Sequence, residues 1–444
     1  MAERGQSIAE TVKAIAEGHL TSRQWVEHCL GRIRDNETNG SWSYVDEERA
    51  LKCADELDWM RNDGSAFGSL HGCPVGVKDI IEVEGMPHGC GSTLMGEVSE
   101  VNAALVDALE AAGAVILGKT ETTEFAFLNP ARTKNPLSFE HTPGGSSAGS
   151  AAAVASGDVP VAIGTQTNGS VIRPASYCGV YAMKPSAGII PRTGVFEQSP
   201  TLDQIGLFAT SLEDLGLVID VLSVHDSRDP HSIAVPRPSC FAGVKAEPPM
   251  EPNFAIFKLP YSDLQSDACT EGFREVADSL EGRVEILETP PTFGQLIEAQ
   301  RTIHLTEAYH AFDAMGFIGN SQLSEVMTQM LTEARSVPRS QYEEALIIRD
   351  SLTEFFNNFF EDFDAILSPS SSGEAPPLSE GNTGNPIFCT VWTLAGLPSL
   401  NLPILQGENG LPIGLQMIGR RRDDARLLRT ARWFMTALFD EGEA

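Results

Sequence analysis

Apolar residues in the first part of the chain recur three and four positions apart. Ile8, Val12, Ile15 and Ala16 make one such stripe, which predicts a core-facing helix. Thr21 and Ser22 open "TSRQWVEHCLGRI" as helix-cap candidates, and residues 1–60 read as N-terminal helices. From about 70 to 220 the period changes. Short apolar runs at 75–77, 114–117 and 159–163 alternate with glycine turns and Ala-rich stretches such as "AALVDALEAAG". That texture predicts a largely buried sheet covered by helices, and residues 70–220 read as a core. A Pro- and Ser-rich connection covers 226–252, within a variable, helix-rich region at 226–360. There Ala345, Ile348, Leu352, Phe355 and Phe359 keep helical spacing. In the last part, 361–444, "DAILSPS" predicts a buried strand running into a long loop, Ser368 to Pro386. "LPSLNLPI" and "LPIGLQMIG" predict two more strands, and Leu428, Ala431, Met435 and Leu438 a closing helix. No internal repeat is visible.

Composition narrows the partners. The 444 residues are 42% hydrophobic and 21% charged, a globular balance that fits one large α/β domain or two to three average ones. A net charge of −30 argues against a nucleic-acid or anionic-membrane surface. The first residues lack a signal-peptide pattern, and no apolar run reaches membrane-span length, so the expected location is cytoplasmic. Eight scattered cysteines without Cys-x-x-Cys read as reduced, mostly buried thiols. The nine histidines show no metal spacing, His304 and His310 being six apart, so neither metal nor cofactor is expected.

Candidate chemistry gathers in "TPGGSSAGSAAAVASGDVPVAIGTQTNGSVIRPASYCG", Thr142 to Gly179. Gly145 to Gly149 matches G-x-S-x-G with Ser147 as nucleophile, but a nucleophile elbow follows a buried strand, whereas "NPLSFEHTP" is polar and proline-broken. The second turn fits better. "VPVAIG" predicts a strand, "TQTNG" a loop, and Ser170 stands at the entry to a short helix with Pro174 in its first turn. Backbone N–H groups from Thr167 to Ser170 can converge there into an oxyanion hole. No histidine lies inside the stretch after His141 to activate a serine. A buried lysine of lowered pKa can do so, and Lys78, Lys119 and Lys184 all have apolar approaches. Pattern alone does not choose among them.

"PVGVKDIIEVEGMPHGCGS", "GAVILGKTETTEFAF", "TPGGSSAGSAAAVASG", "GTQTNGSVIRPASYCGV" and "SPTLDQIGLFATSLEDL", with the closing "FCTVWTLAGLPSLNLPILQGENGLPIGLQMIGR", resemble the amidase signature family over most of the chain. The match is weakest between about 225 and 300. The resemblance implies a single α/β domain, a mixed central sheet with helices on both faces. It also implies a Ser-cisSer-Lys triad: Lys78 as base, Ser146 as the bridging serine on a cis peptide bond, and Ser170 as acylating nucleophile. Thr167, Asn168, Gly169 and Ser170 take the place of the oxyanion loop. The expected activity is cleavage of a small-molecule amide or carbamate through an acyl-enzyme, with a second copy of the chain, as a homodimer, the candidate partner.

Two departures from the commonest pattern stand out. Gln166 replaces an Asp, and Arg173 comes three residues after Ser170 rather than two. This variant resembles the malonamidase-like branch, in which the arginine binds a substrate carboxylate. Arg173, Asn168 and Ser147 are therefore the candidate substrate-binding residues, and Arg173 either holds a carboxylate or braces the loop. The rival functions are an aminoacyl-tRNA amidotransferase subunit, which works with partner proteins, and a silent binding protein on the same fold.

Overall fold

In the computed structural model, which describes residues 7–65, 67–280 and 282–439, eleven strands form one mixed sheet. They are β1 (Trp42–Val45), β2 (Pro74–Lys78), β3 (Val115–Thr120), β4 (Val161–Gln166), β5 (Tyr181–Lys184), β6 (Gln204–Ala209), β7 (Phe254–Lys258), β8 (Val284–Glu288), β9 (Ala365–Pro369), β10 (Ser399–Gln406) and β11 (Pro412–Ile418). Their order is β1-β3-β2-β4-β6-β5-β10-β11-β9-β7-β8. β3, β2 and β4 run parallel, β7 is parallel to both β8 and β9, and the strands between are antiparallel. β5, in the first half of the chain, pairs with β10, so Met183 faces Leu400 across more than two hundred residues of sequence.

Successive strand side chains point to opposite faces, and the core divides accordingly. Val75, Val77, Ile116, Ile163 and Leu207 pack on one face with Leu105, Leu109 and Leu215 from helices Ala104–Ala111 and Leu212–Leu222. Val115, Leu117, Ala162 and Phe208 pack on the other with Val26, Leu30 and Ala54 from helices Ser22–Asp35 and Glu47–Asn62. Toward the other end, Phe257, Ile366 and Ile418 meet Phe356 and Trp392. The chain is thus a single α/β domain with helices on both faces.

Thr21 caps its helix as read, accepting from Gln24 N, and the helices Ile8–Ala16, Arg339–Phe359 and Asp424–Phe439 fall on the periodic stretches. Two regions differ from the sequence reading. β1 interrupts the N-terminal helices, and β7 and β8 lie inside the helix-rich region. β8 closes the sheet at one edge with Glu285, Ile286 and Glu288 exposed, so it lacks the buried apolar run that betrays an inner strand. All eight cysteines are free and seven are buried. Among the described residues, no helix is long and apolar enough to cross a membrane.

Candidate active site

β2 and β4 are parallel neighbours, so their C-terminal ends leave the sheet at one edge. In α/β sheets this is where ligand sites form. Lys78 is the last residue of β2 and Gln166 the last of β4. Lys78 is fully buried, and its Nζ donates to Ser146 Oγ at 2.6 Å and to Thr165 Oγ1 at 2.8 Å. Burial pushes its pKa down from 10.5 to about 7, with Asp203 pulling the other way. A neutral amine beside a serine hydroxyl can take its proton.

The other two lysines are spoken for. Lys119 pairs with Asp79 at 2.9 Å and donates to the Pro87 carbonyl. Lys184 donates to Gln204 Oε1 at 2.6 Å and Leu397 O at 2.5 Å. Burial lowers Lys184 to about 7 as well, so contact with a serine, rather than pKa, singles out Lys78.

Ser146 follows a cis peptide bond from Gly145. Gly144 enters it at φ +84°, where a Cβ would come within 2.9 Å of Pro174 Cα. The Ser146 carbonyl accepts from Ala148 N at 2.8 Å, and from Thr123 N and Thr122 Oγ1 at 3.2 Å. Ser147 N donates to Ser170 O at 3.3 Å, which sets the two serine turns side by side.

Ser170 is half-buried, and its hydroxyl has no hydrogen bond to a described residue. None of the N–H groups from Thr167 to Ser170 donates to a described residue. Four free donors in one turn are what an oxyanion needs. The turn is fastened from behind. Gln166 Oε1 accepts from Val171 N at 2.8 Å and Ile172 N at 3.0 Å, capping helix Ile172–Cys178. Its Nε2 donates to Thr393 Oγ1 at 2.9 Å, a bond the carboxylate of an Asp could not make. Thr167 Oγ1 donates to Asp203 at 2.6 Å. Gly169 lies against helix Ile387–Leu394, where a Cβ would come within 2.9 Å of Pro386 Cβ.

The three candidate substrate contacts are placed differently. Ser147 is fully buried, and its hydroxyl donates to Thr165 O at 3.2 Å and accepts from Thr165 N at 3.3 Å. It fastens its turn to β4, so its hydroxyl is engaged within the protein rather than turned to a substrate. Asn168 is half-buried with its amide engaged at both ends: Nδ2 donates to Gln300 at 3.3 Å and Oδ1 accepts from Thr390 at 2.9 Å. Arg173 is buried and donates through Nη2 to the Gly145 carbonyl at 2.8 Å. Its Nε and Nη1 are buried without partners, and no acid among the described residues pairs with it.

Three participants escaped the sequence reading. Asp203 accepts from Gln198 N at 2.8 Å and Ser199 N at 2.9 Å as well as from Thr167. It lies within "SPTLDQIG", a motif quoted without a role for its acid. Gln300 reaches Thr167 O at 3.3 Å from the segment of weakest resemblance. His304 meets Gln198 Oε1 at 2.7 Å, and burial lowers its pKa to about 4, so it is neutral at ordinary pH. Among the described residues no three His, Cys, Asp or Glu side chains are grouped to hold a metal.

The family model described as Amidase matches residues 24–428. The chain belongs to the amidase family. As a member it is an enzyme acting on amide C–N bonds. It is 32% identical to a glutamyl-tRNA(Gln) amidotransferase subunit of Chloroflexus aggregans, over 95% of this chain and 94% of that one. Its identity to the corresponding subunit of Natranaerobius thermophilus is also 32%, over 96% and 94%. Among solved structures, it superposes with TM-score 0.90 at 27% identity, over 99% of both chains, on a chain from a vestigial protein complex bearing on the origins of an s-triazine catabolic enzyme. The peptide amidase of Stenotrophomonas maltophilia gives TM-score 0.83 at 26% identity, over 97% and 96%.

Proposed function

We propose that the chain hydrolyses an amide or carbamate through an acyl-enzyme on Ser170. The observation that carries this reading is the 2.6 Å contact between fully buried Lys78 and Ser146. Ser170 Oγ attacks the carbonyl carbon. Its proton passes to Ser146 as the Ser146 proton passes to neutral Lys78. The oxyanion is held by N–H groups of the Thr167–Ser170 turn. The C–N bond breaks as the relay reverses and protonates the departing nitrogen. Water then repeats the sequence on the ester. A fluorophosphonate probe should label Ser170 in the wild type and nothing in Ser170→Ala. Activity without labelling of Ser170 would overturn the assignment of the nucleophile, and absence of both labelling and activity would favour the silent-protein reading.

Arg173 bears on the acyl group. A buried guanidinium with two unpartnered nitrogens lacks its counter-charge. A carboxylate on the substrate supplies one and matches the fork of N–H donors. Arg173→Ala should then lower kcat/KM for an anionic amide by about 2–5 kcal/mol and nearly spare a neutral amide of equal size. Equal losses on both would mean that its bond to Gly145 O is its whole contribution.

A second reading rests on the curated relatives, which are amidotransferase subunits. It keeps the same acylation half-reaction but delivers ammonia to another acceptor alongside partner proteins. Ammonia release from glutamine and small amides by the purified chain, with and without amidotransferase partner subunits and aminoacyl-tRNA, separates the two. Turnover indifferent to the partners supports the free hydrolase; turnover that needs them supports the amidotransferase.

A further inference from the structure

Asp203, which receives the Thr167 hydroxyl, also lines a second cavity of about 290 Å³ that Lys78, Ser146 and Ser170 do not border. One ordered water needs only ~10–15 Å³, so the space suits a polyatomic guest. Its wall draws on distant segments: Arg192 and Thr201 before β6, His231 in the connection, Arg349 in helix Arg339–Phe359, and Gly396 and Arg421 near the C-terminal strands.

Three guanidiniums and an imidazole face this space in a chain of net charge −30. Arg192 spends Nη1 on the carbonyls of Pro200 at 3.1 Å and Asp203 at 3.0 Å, and its Nε lies 3.7 Å from Asp229. Its Nη2 is buried without a partner. Arg349 turns Nε and Nη2 to Asp350, whose side chain is largely exposed. Arg421 has no hydrogen bond or ion pair with a described residue, and its buried Nε lies near Gly396. Burial, and then the like charges of Arg422 and Arg349, lower its pKa. The acids around the cavity are Asp203, Asp229, Asp350 and Glu307. Asp203 is filled by Thr167, Gln198 and Ser199, and Glu307 by Ser199, Thr201 and Tyr342. Neither pairs directly with Arg421.

We propose that this cavity binds a small polyvalent oxyanion, a phosphate or a di- or tricarboxylate, between Arg192, Arg349 and Arg421. Three guanidinium side chains that line one cavity from separate segments suit a guest with several oxygens better than chloride. Lys78, Ser146 and Ser170 do not line this site, and anion binding there can be read without any amide substrate.

Titration calorimetry with citrate and with inorganic phosphate, at ionic strength held constant with NaCl, tests it. Saturable one-site binding is expected for at least one of them, and the preferred one names the guest's headgroup. Arg421→Met should weaken that binding by about thirtyfold or more, the fold-change for about 2 kcal/mol at 1.4 kcal/mol per tenfold. Arg349→Met, on a half-buried side chain, should also weaken it and serves if Arg421→Met does not fold. Arg173→Met should leave it intact. No saturable binding, or binding lost in Arg173→Met but kept in Arg421→Met and Arg349→Met, overturns the proposal.

Discussion

Lys78, Lys119 and Lys184 are each fully buried at or next to the end of a strand. They look alike in sequence because one-dimensional pattern records burial, not what stands opposite. Opposite Lys119 is Asp79, opposite Lys184 a glutamine and carbonyls, and opposite Lys78 a serine. The resemblance supplied the choice, and geometry gives its reason. With a pKa of about 7, Lys78 is a base only above that pH. The activity kcat/KM should therefore rise through about pH 7 and level off, and the residual activity of Lys78→Met should lack that limb. A flat profile with chemistry rate-limiting would refute a neutral-lysine base. Stability carries the same signature with the opposite benefit. The folded state holds Lys78 below its unfolded value, so folding is penalised increasingly as pH falls from about 10 toward 7. Lys78→Met should gain more stability relative to wild type at pH 7 than at pH 10, which denaturant unfolding at both pH values measures.

Helix Ile387–Leu394 clamps the turn from Gln166 to Ser170. Thr393 Oγ1 donates to Asn168 O at 2.5 Å and accepts from Gln166, and Thr390 holds the Asn168 side chain. Val391 and Trp392 are fully buried and anchor the helix. Thr393→Val keeps the shape but strands Gln166 Nε2 and the Asn168 carbonyl. It should cost about 1–3 kcal/mol and reduce kcat as the oxyanion donors drift. Ser186→Ala, which removes a buried partner of Asp424 away from the turn, should cost comparable stability with kcat unchanged. Equal kcat in both variants would show that the helix merely packs. Inner strands and amphipathic helices were legible because burial writes its period into the sequence. β1, β7 and β8 were not, being short or at the sheet's margins. Gln166 was noticed only as a departure: the helix it caps begins six residues on, but the threonine that receives its Nε2 lies more than two hundred residues away.

Across the whole molecule, 61 acids face 31 lysines and arginines, and most of that excess lies on the surface. Repulsion of this kind is relieved as the screening length falls from about 10 Å at 0.1 M salt to about 3 Å at 1 M. The melting temperature should rise with NaCl over that range, and a fall would show that surface ion pairs outweigh the repulsion. The sheet's order has a consequence for synthesis. β5 emerges from the ribosome with one edge unpaired, and its partner β10 follows only after the chain has grown from Lys184 to Ser399. At 5–20 residues per second that wait lasts roughly 10–40 s. During it the half carrying Lys78, Ser146 and Ser170 has the whole proposed triad but an open strand edge, the kind of surface that recruits other chains. A nascent chain stalled near residue 250 should therefore bind chaperone or aggregate, whereas one released after β11 should not.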